Sequence, residues 1–242
     1  MTPFLSIIIP AYNEENRLPT SLEKIFAYTE AQSYPIEVIV VENGSTDNTY
    51  EVARAFVPAH PSLRVIHEKG RGKGLAVRRG MLEAQGEYRF MADADLSMPI
   101  EELYKFIPAK GESYDVAIGS REAPGAKRFN EPAYRHWGGR AVNLMIRLLA
   151  IPHLRDTQCG FKSFRAEVAV ELFHKQTMPG WSFDIELLYI AQQRGFQIVE
   201  IPIHWYFGAE SKVNPLNDTM HMFYDIITMH RNARKGVYGP KV

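Results

Sequence analysis

The sequence offers little sulfur chemistry: its 242 residues contain a single cysteine, Cys159. That excludes an internal disulfide and a multi-cysteine zinc site, and it fits a reducing compartment. An excess of one charge is also missing. The 28 basic residues balance 28 acidic ones for a formal net charge of zero, so no global field argues for nucleic acid as a partner. No apolar run approaches the roughly 20 residues needed to span a bilayer. No basic region with an apolar signal core precedes the strand-like FLSIIIPAY at 4–12. The expectation is a soluble or at most peripheral protein. Two nucleotide-binding signatures are absent too. The glycine cluster KGRGKG at 69–74 does not fit the Walker pattern, and no G-x-G-x-x-G follows the first strand, where a dinucleotide fold requires it.

What is present is ordinary globular composition, 45% hydrophobic and 23% charged. LSIIIPAY (5–12) and IEVIVVENGS (36–45) are short β-rich runs ending in turn residues, and between them 14–29 reads as a helix with Leu18, Leu22, Ile25 and Phe26 at helical spacing. Continuously apolar strands joined through a helix indicate a parallel sheet covered on both faces. The pattern repeats: 46–56 reads as a helix, LRVIHE as a strand, 74–84 as a helix, YRFMAD and DVAIGS as strands. The first 120 or so residues therefore predict a doubly wound, mostly parallel α/β sheet. Ligands in such sheets sit beyond the carboxyl ends of the strands. PAYNEE, ENGSTDNT, KGRGKG and DADLS should accordingly share one rim.

Within DADLS, Asp93 and Asp95 are two residues apart, and in extended chain they point to the same face. Like charges so close repel unless a cation or a shared proton lies between them. The pair is a candidate metal site; the plainer alternative is that Asp95 caps a turn. KGRGKG either presents backbone N–H groups and Lys73 to a diphosphate or is a solvated loop. The segment 121–140 carries Arg121, Lys127, Arg128, Arg135 and Arg140 against only Glu122 and Glu131. It is either a solvated basic face or a cradle for an anionic acceptor. A phosphate monoester, with its second pKa near about 6, is already a nucleophile and needs arginines to hold it. A hydroxyl acceptor would instead need a base, for which Asp156 and Asp184 are the candidate carboxylates. Two later segments, 134–151 and 218–234, combine helical apolar stripes with Arg or Lys. The first carries Trp137, Leu144, Met145 and Leu148, the second Met220, Phe223, Tyr224 and Ile227. Such stripes pack on a core or lie in a membrane interface. Between these segments, 183–194 reads as a helix and FQIVEIPIHWYF as one strand. His221 and Asp225, four apart, are too few ligands for a metal.

IIIPAYNEE, VVENGSTDNT, GKGLAVRRGM and MADADLS resemble the nucleotide-sugar half of the inverting family-2 glycosyltransferases, which have the GT-A fold. DTQCGFKSF (156–164), WSFDIELLYIA (181–191) and GAESKV (208–213) resemble the polyprenyl-phosphate sugar synthases, most closely the dolichyl-phosphate β-glucosyltransferase branch. The resemblance implies a single domain over 1–242, with a nucleotide-sugar half (1–120) and an acceptor half (121–242) ending in an amphipathic helix. It implies that Pro10, Tyr12 and Glu14 line the nucleotide pocket with Glu42 and Asn43 near the base, and that Lys73 and Ala94 belong to the same nucleotide-sugar site. Asp93 would contact nucleotide and metal, and Asp95 would be the principal ligand of Mg²⁺ or Mn²⁺. Arg121, Arg135 and Arg140 would hold the acceptor phosphate, Lys212 would contact the donor diphosphate, and Asp156 would lie near the donor sugar. Asp95, Arg121, Asp156 and Lys212 would form the catalytic set.

The chain departs from the family pattern at Glu42-Asn43, where an acidic pair is usual, and from the mannose synthases at Ser97, where they carry a glutamine ligand, and at Tyr206, where they carry an arginine. The implied reaction moves a hexose, with glucose from UDP-glucose favoured, to a polyprenyl or dolichyl phosphate. GDP-mannose as donor, a soluble hydroxyl acceptor and a non-enzymatic nucleotide-sugar scaffold are the alternatives. The expected location is the cytoplasmic face of a membrane, through peripheral contact or a membrane partner protein.

Overall fold

The computed structural model describes residues 2–109, 113–208 and 215–240, leaving aside the side chains of Arg135 and of 215–218. The chain runs β1 (Leu5–Ala11), α1 (Leu18–Glu30), β2 (Ile36–Glu42), α2 (Thr49–Ala55), β3 (Leu63–His67), α3 (Lys73–Glu83) and β4 (Tyr88–Met91). A 3-10 segment (Ile100–Phe106) leads to β5 (Val116–Ser120), β6 (Lys127–Phe129), α4 (Ala133–Leu149), β7 (Lys162–Arg165), α5 (Ala166–Lys175), α6 (Phe183–Gln193), β8 (Ile198–Pro202), β9 (His204–Tyr206) and α7 (Pro215–Arg234). Seven strands form one mixed, mostly parallel sheet in the order β3-β2-β1-β4-β7-β5-β8, and β6 pairs with β9 in a separate ribbon. Strands from both sides of residue 120 thus share one sheet.

Alternate residues of a strand face opposite sides, and here both sides are apolar. Ile8, Ile39, Val41 and Met91 face a core shared with α3, α5 and α6. Ile7, Ile9, Val38, Val40 and Phe90 face a second core with Leu18, Leu22 and Ile25 of α1. β7 is the exception to parallel order, running antiparallel to both β4 and β5. It therefore starts where its neighbours end, which delivers Cys159 and Gly160 to the carboxyl rim beside Asp93.

The structure differs from the sequence expectation in three elements. α1 starts at Leu18 instead of 14, because Glu14–Arg17 form a turn closed by the Arg17 N–H on the Glu14 carbonyl (3.0 Å) and by Arg17 Nε and Nη2 on the Glu14 carboxylate (2.7 and 2.9 Å). FQIVEIPIHWYF is two strands: β8 pairs with β5 and β9 with β6. The change falls at Ile203, whose N–H still donates to the Ser120 carbonyl (3.3 Å) while its own carbonyl accepts the Lys127 N–H (3.1 Å). The helices at 134–151 and 218–234 each carry two apolar faces. Ile146, Met222, Ile226 and Met229 are buried, whereas Trp137 (68% exposed), Leu148 (77%) and Tyr224 (60%) face outward. No helix among the described residues is long and apolar enough to cross a membrane.

Candidate active site

Strand order reverses at β1, which lies between β2 and β4 with all three parallel. The crevice at such a point is where doubly wound sheets bind ligands. The loops beyond β1 and β2 are stitched together there. Asn13, in the left-handed region that asparagine tolerates (φ 53°), accepts the Thr46 N–H at 2.8 Å on Oδ1. The Glu14 N–H donates to Thr49 Oγ1 at 2.7 Å. After β4 the chain turns at Leu96, a left-handed leucine (φ 45°). The Leu96 N–H returns to the Asp93 carbonyl (3.1 Å) and the Ser97 N–H to Asp95 Oδ1 (3.0 Å). A non-glycine residue held at positive φ is local strain of the kind that collects at functional turns; here it presents Asp95 outward.

The glycine cluster is packed, not solvated. A Cβ at Gly72 (φ 145°) would collide with the Pro179 carbonyl, and one at Gly74 would lie 2.7 Å from the Met178 carbonyl. Only glycine allows that approach. It starts α3 where Lys73 Nζ reaches Asp93 Oδ1 at 2.6 Å. Gly160 acts similarly from the opposite side: a Cβ there would lie 2.5 Å from Asp93 Cγ, so its bare backbone backs the Asp93 carboxylate.

Charge in this region is dense and paired. Asp95 is exposed and lines the cavity, and its carboxyl is raised above the usual range, first by desolvation and then by Asp93. Burial alone would lower Lys73, but Asp93, Asp184 and Asp95 outweigh it and raise the ammonium. Behind them, buried Lys162 lies 2.8 Å from Asp184 Oδ1 and donates to the Cys159 carbonyl at 2.6 Å. Asp184 is raised by burial despite Lys162 and Lys73. Asp156, fully buried, accepts from Arg121 Nε (2.7 Å), Nη2 (2.9 Å) and backbone N–H (3.0 Å). Burial would raise its carboxyl, yet the Arg121 pair and hydrogen bonds hold it at about 2. The Cys159 thiol is pushed up to about 12, chiefly by burial and then by Asp156, which makes it a packed side chain and not a nucleophile.

These groups surround a cavity of about 1100 Å³. Pro10, Tyr12, Glu14, Asn43, Lys73, Asp93, Ala94 and Asp95 line one side and Arg121 the other, so most of the expected residues converge. Three do not line it. Glu42 is buried and turned to the opposite side, where Oε2 meets His67 Nδ1 at 2.5 Å. Parallel register places these two residues side by side, and the Ser45 N–H takes the other oxygen. Arg140 is exposed on α4 with its guanidinium 5.8 Å from the Trp137 ring. Asp156 sits behind Arg121. Lys212 and the Arg135 side chain lie outside the described residues.

The sequence reading missed several lining groups: Arg71, over the Tyr12 ring at 4.9 Å; Trp181, 5.0 Å from Lys73 Nζ; and Trp205, beneath Arg121 (5.6 Å) and Arg128 (6.0 Å). Arg71 had a signal within KGRGKG, Trp181 as the first residue of WSFDIELLYIA, and Arg128 as one of the excess cations at 121–140; Trp205 had none. No group of three or more His, Cys, Asp or Glu able to hold a metal occurs among the described residues. Of the carboxylates that line the cavity, Glu14, Asp93, Asp95, Glu131 and Asp184, Asp93 and Asp95 lie two residues apart. They suit Mg²⁺ or Mn²⁺, which bind through one or two carboxylates plus substrate phosphates. The raised Asp95 carboxyl next to Asp93 is the signature of a pair that a further cation would relieve.

Residues 6–173 match the family model described as glycosyl transferase family 2. The chain is 33% identical to a dolichyl-phosphate beta-glucosyltransferase of Trichomonas vaginalis, over 98% of this chain and 74% of that protein. It is 34% identical to that of Homo sapiens, over 98% and 78%. Among solved structures, glucosyl-3-phosphoglycerate synthase from Mycobacterium tuberculosis in complex with Mn²⁺, UDP-glucose and phosphoglyceric acid superposes with a TM-score of 0.67 at 18% identity, covering 97% of this chain and 80% of that one. At that identity the likeness is one of fold.

Proposed function

Because the chain belongs to glycosyl transferase family 2, we propose that it is a polyprenyl-phosphate glucosyltransferase. It would move glucose from UDP-glucose to a dolichyl-type phosphate with inversion, aided by Mg²⁺ or Mn²⁺. The observation that carries the reading is the continuity of one cavity. It joins the Asp93, Asp95 and Lys73 rim to Arg121, Arg128 and Trp205, and it reaches Tyr134 and Gly138 of α4 and Thr219 of α7. The relatives named for dolichyl phosphate and the solved neighbour that binds UDP-glucose support the choice of substrates.

In this reading Pro10, Tyr12, Glu14 and Asn43 receive the nucleotide, with Ala94 backing it. Asp93 and Asp95 would hold the divalent cation, which when bound supplies positive charge to the diphosphate. Lys73, fixed by Asp93 at 2.6 Å, adds its own charge where negative charge develops on the leaving diphosphate. Lys212 keeps the diphosphate role that its motif implies. On the opposite side Arg121 holds the acceptor phosphate, whose oxygen attacks the anomeric carbon. That oxygen is already ionised near neutral pH, so no protein base is needed. Asp156 is suited to positioning and not to proton transfer, since its carboxylate already accepts three N–H bonds from Arg121. It locks one edge of the guanidinium and leaves Arg121 aimed into the cavity.

A lipid acceptor also needs a surface to lie on. Tyr134, Trp137, Leu144 and Leu148 of α4 and Met220, Tyr224 and Ile227 of α7 are exposed, Tyr134 also lines the cavity, and α4 and α7 pack on each other. Aromatic and apolar side chains of this kind bury into the headgroup boundary of a bilayer. We assign the face to peripheral contact with the cytoplasmic leaflet.

The test is calorimetric titration of UDP and GDP, with and without Mn²⁺, on wild type and Asp95→Ala, paired with glucose transfer to a polyprenyl phosphate in detergent. Mn²⁺-dependent UDP binding that Asp95→Ala loses, with lipid-linked glucose as product, is the expected result. Binding of GDP alone, or transfer only to free sugars, overturns the assignment.

A further inference from the structure

Resting on the reading of a phosphate acceptor, we propose that Arg128 is an additional phosphate-binding residue of the acceptor side and that Glu131 occupies it until the phosphate displaces it. Arg128 and Glu131 both line the cavity, and the two side chains are only 14% and 10% exposed. Arg128 Nη1 holds both Glu131 oxygens, at 3.0 and 2.9 Å. Its Nη2 meets Glu122, and its Nε donates to the Arg121 carbonyl at 3.4 Å. The guanidinium lies 6.0 Å from the centre of the Trp205 ring, and that of Arg121 lies 5.6 Å from the same ring. Two arginines thus share one aromatic support in the wall of the cavity.

The two arginines differ in what holds them. The partner of Arg121 is Asp156, fully buried and immobilised by hydrogen bonds from three backbone N–H and guanidinium groups. The partner of Arg128 is Glu131, on a short turn that follows the left-handed Asn130 (φ 60°). Glu131 already has a second partner to go to: His136 Nδ1 is 3.0 Å from its Oε2. Its carboxyl is held below the usual range by Arg128 and His136, against a burial that would raise it, so it is present as the anion. A carboxylate on an arginine is the nearest side-chain mimic of a phosphate on an arginine. A phosphate monoester brings more charge and three acceptor oxygens, and can take Nη1 while Glu131 stays on His136. No bond is made or broken in this exchange beyond hydrogen bonds and ion pairs. Glu122 does not line the cavity and remains on Nη2, keeping the guanidinium oriented.

A purely structural clamp would predict the opposite behaviour on mutation, which makes kinetics decisive. The assay is UDP-glucose-dependent transfer to a short-chain polyprenyl phosphate in detergent, with donor and acceptor varied separately. Glu131→Gln is expected to lower the acceptor KM by about threefold or more and Arg128→Lys to raise it by about tenfold, the scale of a charge-assisted pair. His136→Ala removes the alternative partner of Glu131 and is expected to raise the acceptor KM. The donor KM should shift by less than about twofold in all three, because UDP-glucose sits against the other side of the cavity. An acceptor KM that rises or stays constant in Glu131→Gln, while wild type transfers normally, overturns the inference alone. A wild type inert toward every polyprenyl phosphate overturns the parent reading and the inference with it.

Discussion

Gly160→Ala tests the site with a single added carbon. Its Cβ would lie 2.5 Å from Asp93 Cγ and 3.1 Å from Asp93 Oδ1, whereas carbon atoms in contact prefer about 3.5–4.0 Å. The carboxylate must therefore retreat by about 1 Å or more. Gly160 is not among the positive-φ residues, so alanine adds no backbone penalty; what it costs is overpacking, about 1–3 kcal/mol. The retreat moves Asp93 relative to Lys73, now 2.6 Å away, and relative to Asp95. A misplacement of about 1 Å at reacting groups costs on the order of a hundredfold in rate. The variant is expected to melt as a folded protein, to bind UDP with Mn²⁺ at least about tenfold more weakly, and to lose most transfer. Calorimetry with UDP and Mn²⁺ reads the first loss, and a glucose-transfer assay reads the second. A variant with wild-type UDP affinity and a rate within about threefold of wild type would refute the placement of Asp93 against the diphosphate.

The other predictions concern the far side of the cavity. Asp156→Asn leaves the Arg121 cation without its buried partner and is expected to cost about 3–5 kcal/mol, read as a lower urea midpoint; a loss under about 1 kcal/mol would contradict the pairing. The pH dependence follows from sign: Asp156 sits at about 2 in the fold against 3.8 ordinarily, so its contribution, of order 2 kcal/mol, is complete above the ordinary value and fades as pH falls through the folded one. The stability gap between wild type and Asp156→Asn should accordingly narrow on acidification through that window. The paired substitutions Trp137→Ser and Leu148→Ser are expected to reduce sedimentation with anionic lipid vesicles while leaving UDP affinity intact; unchanged sedimentation would reassign that face to a protein partner.

Much of this architecture was legible because it is local. β1, β2 and β4 announce themselves as apolar runs that end in turn residues, and once they are parallel, Pro10, Asn43 and Asp93 must share a rim. What stayed hidden depends on neighbours distant in sequence. The direction of β7 is set by pairing with β4 and β5, so nothing within KSFR reveals that Gly160 lands behind Asp93. The ribbon strand β6 is only Lys127–Phe129, too short for any periodicity to register. Glu42 illustrates a finer limit. It adjoins Asn43 in sequence, but alternation along the strand sends the two side chains to opposite faces, and Glu42 meets its register partner His67 instead of the cavity. Arg140, given the acceptor phosphate by the resemblance, lies on the exposed side of α4, where only helix phase, not composition, could have placed it.

The pairing of the cavity's cations explains how such a site can exist before substrates arrive. The proposed reaction brings a diphosphate and a second phosphate into one enclosure, and unpartnered arginines and lysines held ready there would repel one another and resist burial. Lys73 leans on Asp93, Arg121 on Asp156 and Arg128 on Glu131, so each cation is oriented while the enclosure stays near neutral. The partners differ in permanence: Asp156 is sealed in the core, whereas Asp93 and Glu131 line the cavity. Among the described residues, a substrate phosphate can therefore share or replace a cavity-lining carboxylate at Lys73 and at Arg128. Orientation is fixed by the buried pair and exchange is confined to the accessible ones, which lets the fold hold positive charge in place without presenting it to every anion in solution.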